Sequence, residues 1–480
     1  MTVAGTVSAT PPSGNATYDL VVLGGGSAGF AAAIKGAELG ACVALIEGGT
    51  LGGTCVNVGC VPSKTLIRAA EAQQRRAHHG FRGIPASDGA PAWPEVRGHK
   101  DQLVAELRQA KYWDVLRAYE TITLYEQPAT LTPAGTVQLA DGRTVRGGKI
   151  IVATGASAWA PPIPGLAEAR YLESSGAMAL DVLPPSMIVI GAGAVGLELA
   201  QLFARLGVRV TVLEALASVL PAEDPAIGVA LGEYLRAEGL DIHAGATIAR
   251  VERGSQYGVA FTTGGVSRVA TAAQLLVAAG RRANSRGLGL EGAGVASGVR
   301  GEVRVNEYLQ TTNPDVYAAG DVIGDPMFVY VAAYAGALAA ENALGGNARR
   351  YDLTALPRVT FTDPAVAAVG LTETDARARG MEPLVAHLDL THVPRALAAR
   401  DTRGFVRLVA DARARTILSA HILAAEAGEM ITEAALAVRH GLTIEDLTQA
   451  FHPYLTLSEA VRLAAQTFDK DVARLSCCAA

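Results

Sequence analysis

YDLVVLGGGSAGFAAAIKGAELGACVALIEGG, residues 18–49, decides how the chain begins to fold. The apolar run DLVVLGG reads as a buried strand. Gly24, Gly26 and Gly29 then spell G-x-G-x-x-G, a helix of small residues follows, and a second apolar run, CVALIE, ends at Glu47. Strand, glycine turn, helix, strand and terminal acid make a complete βαβ dinucleotide unit. The glycines allow a tight turn and close phosphate approach, the helix N-terminus faces the pyrophosphate, and the acid meets a ribose. Cys42, on the second run, is expected to be a small buried hydrophobe.

The same order returns in SMIVIGAGAVGLELAQLFARLGVRVTVLEA, residues 186–215, with Gly191, Gly193 and Gly196 in the glycine positions and Glu214 as the acid. Two units imply two dinucleotides. FAD with a nicotinamide is the common pairing, because a flavin needs an electron donor. KIIVATGASAW (149–159), turning at Gly155, and QLLVAAGRRAN (274–284) read as the closing strands of the two nucleotide folds. TTNPDVYAAGDV (311–322) carries a strand toward Gly320 and Asp321. Asp321 there is suited to accept hydrogen bonds from a flavin's ribityl chain, with a helix N-cap as the plainer alternative. From about Leu356 the texture shifts to strand, turn and helix without a phosphate loop, a further domain.

Composition agrees. At ~150 residues per domain, 480 residues make about three domains, and 50% hydrophobic residues suit a well-buried α/β enzyme. A net charge of −5 argues against a nucleic-acid partner. The first residues lack the basic and apolar regions of a targeting signal and read as a disordered leader. MFVYVAAYAGALAA (327–340) is too short for a membrane span and stops at Glu341, so it reads as a buried helix. Five cysteines in so long a chain do not form a secreted disulfide framework, and the expected location is cytoplasmic, with no membrane partner.

LGGTCVNVGCVPSK (51–64) follows the first nucleotide unit directly. On an ideal helix Cys55 and Cys60 would have Cα atoms roughly 8–9 Å apart, and a disulfide needs less than about 7 Å. A pairing therefore requires a distorted helix start, for which Gly59 and Pro62 are permissive. Lys64, four residues past Cys60, shares its face, and a cation there favours thiolate.

GGTCVNVGCVPSK, the two fingerprints and AAGD together resemble the flavin-dependent disulfide oxidoreductase family of glutathione reductase, dihydrolipoamide dehydrogenase and mercuric ion reductase. The likeness covers nearly the whole chain after the leader. It implies α/β architecture: two Rossmann-like dinucleotide domains and an α+β C-terminal dimerisation domain. The expected boundaries are a leader at 1–17, FAD domain at 18–157, NAD(P)H domain at 158–283, central domain at 284–355, interface domain at 356–470 and tail at 471–480. It also implies that Cys60 faces the flavin, that Cys55 is the interchange thiol, that the two form a redox-active disulfide, and that Lys64 sits by the flavin paired with Glu198.

Disulfide-reducing members carry His-Pro with a Glu five residues after the His, and that His shuttles protons to the leaving thiol. In FHPYLTLSEA (451–460) the spacing differs: Glu459 is seven residues after His452, and Tyr454 stands five before it. Tyrosine, with a pKa of about 10, is a poor base at neutral pH. A local shift of alignment would restore His452. PYLT (453–456), VPRAL (393–397), FVYVAA (328–333) and LAAQTF…KDV…LSCC (463–478) resemble the mercuric ion reductase branch. That resemblance implies Tyr112 and Tyr454 facing the metal from opposite subunits of a homodimer, and Cys477 and Cys478 as a metal-binding pair.

The chemistry suits the residues. Hg²⁺ is soft and prefers thiolates. Adjacent Cα atoms lie 3.80 Å apart, outside the usual disulfide range, so vicinal cysteines suit a soft-metal clamp better than a staple. Chain ends are usually mobile. The expectation is that Cys477 and Cys478 take Hg(II) from solvent thiols and pass it to Cys55 and Cys60 of the other subunit, where NAD(P)H and FAD supply two electrons. Two features depart from the branch. The expected form has no separate N-terminal C-x-x-C domain before the core and relies on its tail for capture. NADPH is the branch's usual donor, whereas Glu214, with no Arg before Asp224, repels a 2′-phosphate and favours NADH. The rivals are a dihydrolipoamide- or glutathione-type disulfide reductase and a thiol protein that binds mercury without reducing it.

Overall fold

The computed structural model describes residues 16–87 and 89–474. The chain forms two compact units, each assembled from separated segments. The first comprises residues 1–65, 97–159 and 280–352, and the second 66–96, 160–279 and 353–480.

The first unit is built on a seven-stranded sheet. The strand Ala16–Leu23 pairs in parallel with Val43–Ile46 on one side and Thr144–Val152 on the other, and Ile122–Tyr125 extends the sheet beyond Val43–Ile46. Val316–Ala318 adds in parallel to the end of Thr144–Val152. Strands buried on both faces need near-continuous apolar runs, and Val43–Ile46 has all four residues buried. Cys42 lies one residue before that strand and is exposed, not buried as the sequence suggests. The ladder starts only at Val43, and Cys42 remains in the preceding turn, its amide donating to Asp19.

The helices Ser27–Glu38 and Val329–Gly345 cover one face of this sheet, against a core that includes Leu20, Ala32, Ala335 and Leu338. Their approach is unusually close because Gly336 has no side chain: a Cβ there would lie 1.9 Å from the carbonyl oxygen of Ala28. The apolar stretch at 327–340 is thus a helix packed on the fingerprint helix, although Val329 and Tyr330 at its start are exposed.

The second unit repeats the nucleotide architecture. Ser186–Ile190 pairs in parallel with Arg209–Leu213 and Gln274–Val277, and Asp241–His243 completes four strands. An antiparallel five-stranded sheet holds the C-terminal part, in the order Arg358–Thr360, Ala365–Gly370, Ile417–Ala424, Phe405–Asp411, Pro383–Asp389. The helices Ala427–His440 and Glu459–Gln466 pack on it. A largely buried ionic knot ties the two sheets' surroundings together: Arg205 bonds Glu238 at 2.7 Å and Asp363 at 3.0 Å, and Arg403 reaches the same two acids.

Gly336→Ala should lower unfolding free energy by about 1–3 kcal/mol through overpacking. Gly98→Ala, at an exposed position of the helix Trp93–Arg108 where an added Cβ meets nothing within 4 Å, should be neutral or stabilising. Denaturant unfolding of both variants measures the contrast; equal midpoints would show that the Gly336 contact does not limit packing.

Candidate active site

Each nucleotide turn is shaped by bare backbone. Gly24 and Gly191 have φ of 106° and 105°, in the region that favours glycine. A Cβ at Gly29 would lie 1.7 Å from the oxygen of Gly24, and one at Gly196 2.0 Å from that of Gly191. Gly26 and Gly193 stand at the N-caps of the two fingerprint helices without a side-chain cap, which leaves first-turn amides for an anion.

The two acids are held alike. Glu47 accepts from the amides of Gly25 and Gly49, each at 2.6 Å. Glu214 accepts from Ala192 at 2.6 Å and Leu216 at 2.8 Å. Each carboxylate therefore braces its glycine turn from the end of the neighbouring strand, a role beyond the ribose contact that the sequence suggests. Both cradles fit a dinucleotide: an open helix N-terminus, a turn that a side chain would fill, and a carboxylate fixed beside it.

Gly155 follows the closing strand with φ of 70°, and Asn284 braces the turn by donating from its side chain to the oxygen of Thr154 at 2.9 Å. The strand Val316–Ala318 stops short of Asp321, which opens a short 3₁₀ turn. Burial pushes the Asp321 carboxyl up, with Arg281 at 3.9 Å opposing.

The helix carrying the thiols is broken between them. Gly53–Val58 ends at Gly59, with φ −121° and ψ −107°, and Cys60–Ala77 starts anew. The two are half-buried thiols, not joined as a disulfide, and hydrogen-bonded to each other. That contact, together with burial, pushes Cys55 well above the ordinary thiol range; the charge of Lys64 opposes the shift without overcoming it. The cation effect expected from Lys64 is therefore outweighed at Cys55.

Asn57, Arg108 and Ser27 escaped notice in the sequence. Asn57, between the cysteines, donates to the oxygens of Leu51 and Gly53 at 3.0 and 2.9 Å, and accepts from Arg108 at 3.2 Å, pinning the short helix. Its place inside C-V-N-V-G-C was the available signal. Ser27, inside the first fingerprint, hydrogen-bonds the hydroxyl of Tyr112. Tyr112 lies on a π-helical turn, Gln109–Trp113, of the kind that recurs at functional sites. Burial pushes its phenol up, and the two cysteines add to the shift.

Elsewhere, Glu198 is buried and accepts from the amide of Phe361 at 2.9 Å. Glu198 and Lys64 belong to different units. Tyr454 is 58% exposed. His452 is bonded to Glu433 at 2.6 Å and to the oxygen of Ala450 at 3.1 Å, so both ring nitrogens are engaged. Glu459, also buried, has an oxygen without a partner among the described residues. Cys477 and Cys478 lie outside the described residues.

With this geometry in view, residues 18–336 match the pyridine nucleotide-disulphide oxidoreductase model, and 356–465 match the dimerisation domain of the same name. The chain belongs to the pyridine nucleotide-disulphide oxidoreductase family. It is 47% identical to a mercuric reductase of Streptomyces lividans, over 96% of this chain and 98% of that protein. It is 45% identical to one from Staphylococcus aureus, over 96% and 84%. Among solved structures, the HOCl-induced flavoprotein disulfide reductase RclA from Escherichia coli, in a Cu(II) complex, aligns with a TM-score of 0.84 at 30% identity, covering 94% of this chain and 99% of that one. Family membership implies FAD and NAD(P)H as cofactors, and the dimerisation domain implies a homodimer. Among the described residues no helix is long and apolar enough to cross a membrane.

Removing the Cys60 thiol removes the largest cause of the Cys55 shift. In the reduced protein, Cys60→Ala should therefore make Cys55 ionise at lower pH than in the parent. Alkylation rate against pH measures this, and an unchanged or higher pKa would refute the shared hydrogen bond.

Proposed function

We propose that this protein is a mercuric reductase, reducing Hg(II) to volatile Hg(0) with electrons from NAD(P)H. The observation that carries the reading is a hydrogen-bonded thiol pair in a chain whose His452 is engaged at both ring nitrogens. Cys55 and Cys60 face each other across the helix break, while His452 has both nitrogens occupied and is unsuited to serve a leaving thiol. That weighs against the disulfide-reductase rival and against restoring His452 by a shifted alignment. Identity of 45–47% to mercuric reductases along nearly the whole chain supports the same reading.

Bound FAD supplies the electrons in pairs. The protein's own work is to bring the metal to two sulphurs. Hg(II) arrives with two thiol ligands, and Cys55 attacks as a thiol that still holds its proton. The new S–Hg bond forms, an old one breaks, and the departing thiolate leaves with the proton. The exchange balances without a separate base, which accounts for a tyrosine in the shuttle's place. Tyr112 and, from the partner subunit, Tyr454 flank the metal in this proposal, and Lys64 with Glu198 braces the flavin side. Cys477 and Cys478 capture Hg(II) and hand it to the other subunit. The domain boundaries expected from sequence and a cytoplasmic location belong to the same proposal.

The finer choice of donor turns on Glu214. Glu214 is only 8% exposed and its carboxylate is fixed by two amides, so it cannot swing away from a 2′-phosphate. The reading favours NADH over the NADPH usual in this branch. The expected kcat/KM for NADH exceeds that for NADPH by about tenfold or more; a preference for NADPH would overturn it.

Hg(II)-dependent oxidation of NAD(P)H, with the volatilised metal collected, tests the main reading. Oxidation driven by glutathione disulfide or lipoamide instead would replace it with a disulfide reductase, and tight mercury binding without oxidation would leave only a metal-binding thiol protein. The double variant Cys477→Ala/Cys478→Ala should lose about tenfold or more in kcat/KM for thiol-bound Hg(II), some 1.4 kcal/mol. Unchanged turnover would sink the relay.

A further inference from the structure

Between the helices Ile444–Gln449 and Glu459–Gln466 the chain makes a turn, residues 450–458, that carries Tyr454. Phe451, Tyr454 and Leu455 are exposed, Phe451 fully so. Leu455 has φ of 63°, in the left-handed region that a branched side chain rarely adopts. A strained turn that faces outward keeps one shape only where the protein behind it over-determines that shape. Two bonds are local. Thr456 Oγ1 donates to the oxygen of Pro453 at 2.9 Å, and Arg462 Nε, from the following helix, donates to the oxygen of Thr448 at 3.2 Å.

His452 reaches further back. Its side chain is 5% exposed, whereas Phe451 and Pro453 on either side of it are exposed. Nε2 donates to Glu433 Oε1 at 2.6 Å, 19 residues away, and Nδ1 donates to the oxygen of Ala450 at 3.1 Å. A carboxylate and a carbonyl only accept, so the two bonds coexist on a ring that carries both protons, with Glu433 as its countercharge. A charge-assisted bond of this kind is stronger than the neutral bonds within the turn. Glu433 stands on the helix Ala427–His440, which packs on the five-stranded sheet. The turn is thereby fastened to the rigid part of its unit.

Tyr454 sits two residues from this anchor. Resting on the reductase reading, in which Tyr454 serves the partner subunit's metal, we propose that His452 and Glu433 are positioning residues for Tyr454. They hold residues 451–455 in the shape that carries the phenol to that metal. A phenol on a swinging turn would meet the metal in only a fraction of encounters, and misplacement of about an ångström is enough to cost rate. The imidazole itself hands no proton to a thiol. It acts through the tyrosine beside it.

Turnover of thiol-bound Hg(II) by the FAD-loaded homodimer tests this. Glu433→Ala and Tyr454→Phe should each lower kcat/KM about tenfold. The double variant should lose no more than Tyr454→Phe alone, because a residue that acts through another has nothing left to act on. Glu433→Gln, whose amide oxygen still accepts from Nε2, should regain most of the loss. Glu433→Ala should keep the parent's dimer mass in sedimentation and its rate of flavin reduction by NAD(P)H. Losses that multiply in the double variant, Glu433→Ala or Tyr454→Phe at the parent rate, Glu433→Gln no better than Glu433→Ala, or a Glu433→Ala dimer that falls apart would each overturn the positioning role and leave the reductase reading standing. A parent protein without Hg(II)-dependent oxidation would overturn both.

Discussion

The contact on which each nucleotide fold depends is the bare approach of helix to turn at Gly29 and Gly196. With a carbonyl oxygen less than about two bond lengths from where a Cβ would sit, no side chain fits at either place. This closeness aims the helix N-terminus at the turn and brings the carboxylate of the next strand within reach of the turn's amides. Glu47 and Glu214 then lock the arrangement through matching pairs of backbone bonds. The same device, used twice in one chain, gives two cradles of the same geometry. A third close approach, Gly336 against Ala28, clamps a second helix to the first cradle and so fixes the start of that helix beside Tyr112.

The thiol site follows from that frame. The chain leaves the first cradle through glycines, enters a helix of only six residues, and breaks at Gly59 before the long helix begins. The break brings two cysteines together that a continuous helix would keep apart. Asn57 and Arg108 hold the short helix in place, so the position of Cys55 is set by side-chain hydrogen bonds as well as by the backbone. The result is a pair of thiols joined by a hydrogen bond. For a soft divalent ion, two such sulphurs are a complete ligand set.

Much of this was legible in the sequence because it is local. A glycine fingerprint between two apolar runs with an acid at the end is a pattern within about 30 residues, and its geometry is dictated by sterics and backbone hydrogen bonding. The need for a distorted helix between Cys55 and Cys60 was legible for the same reason, since the spacing alone excludes an ideal one. Less was legible where the partner is remote. Glu433 is 19 residues from His452, and nothing in either neighbourhood marks the pair. The π-helical turn that carries Tyr112 has no composition signal, and Ser27 read only as a small residue in the fingerprint. The exposure of Cys42 hung on a strand beginning one residue later than the apolar run suggests.

The sequence by itself determined the two dinucleotide folds, the acids that end their second strands, and a thiol pair poised for soft-metal or disulfide chemistry, because each is set by spacing and sterics along a short stretch. Only the tertiary structure decided that segments 66–96 and 353–480 join one compact unit with the second nucleotide sheet. It also decided that both carboxylates brace their own turns and that His452 is bound at both nitrogens. These depend on groups brought together across long stretches of chain, where burial and hydrogen-bond partners are fixed only once the core has packed.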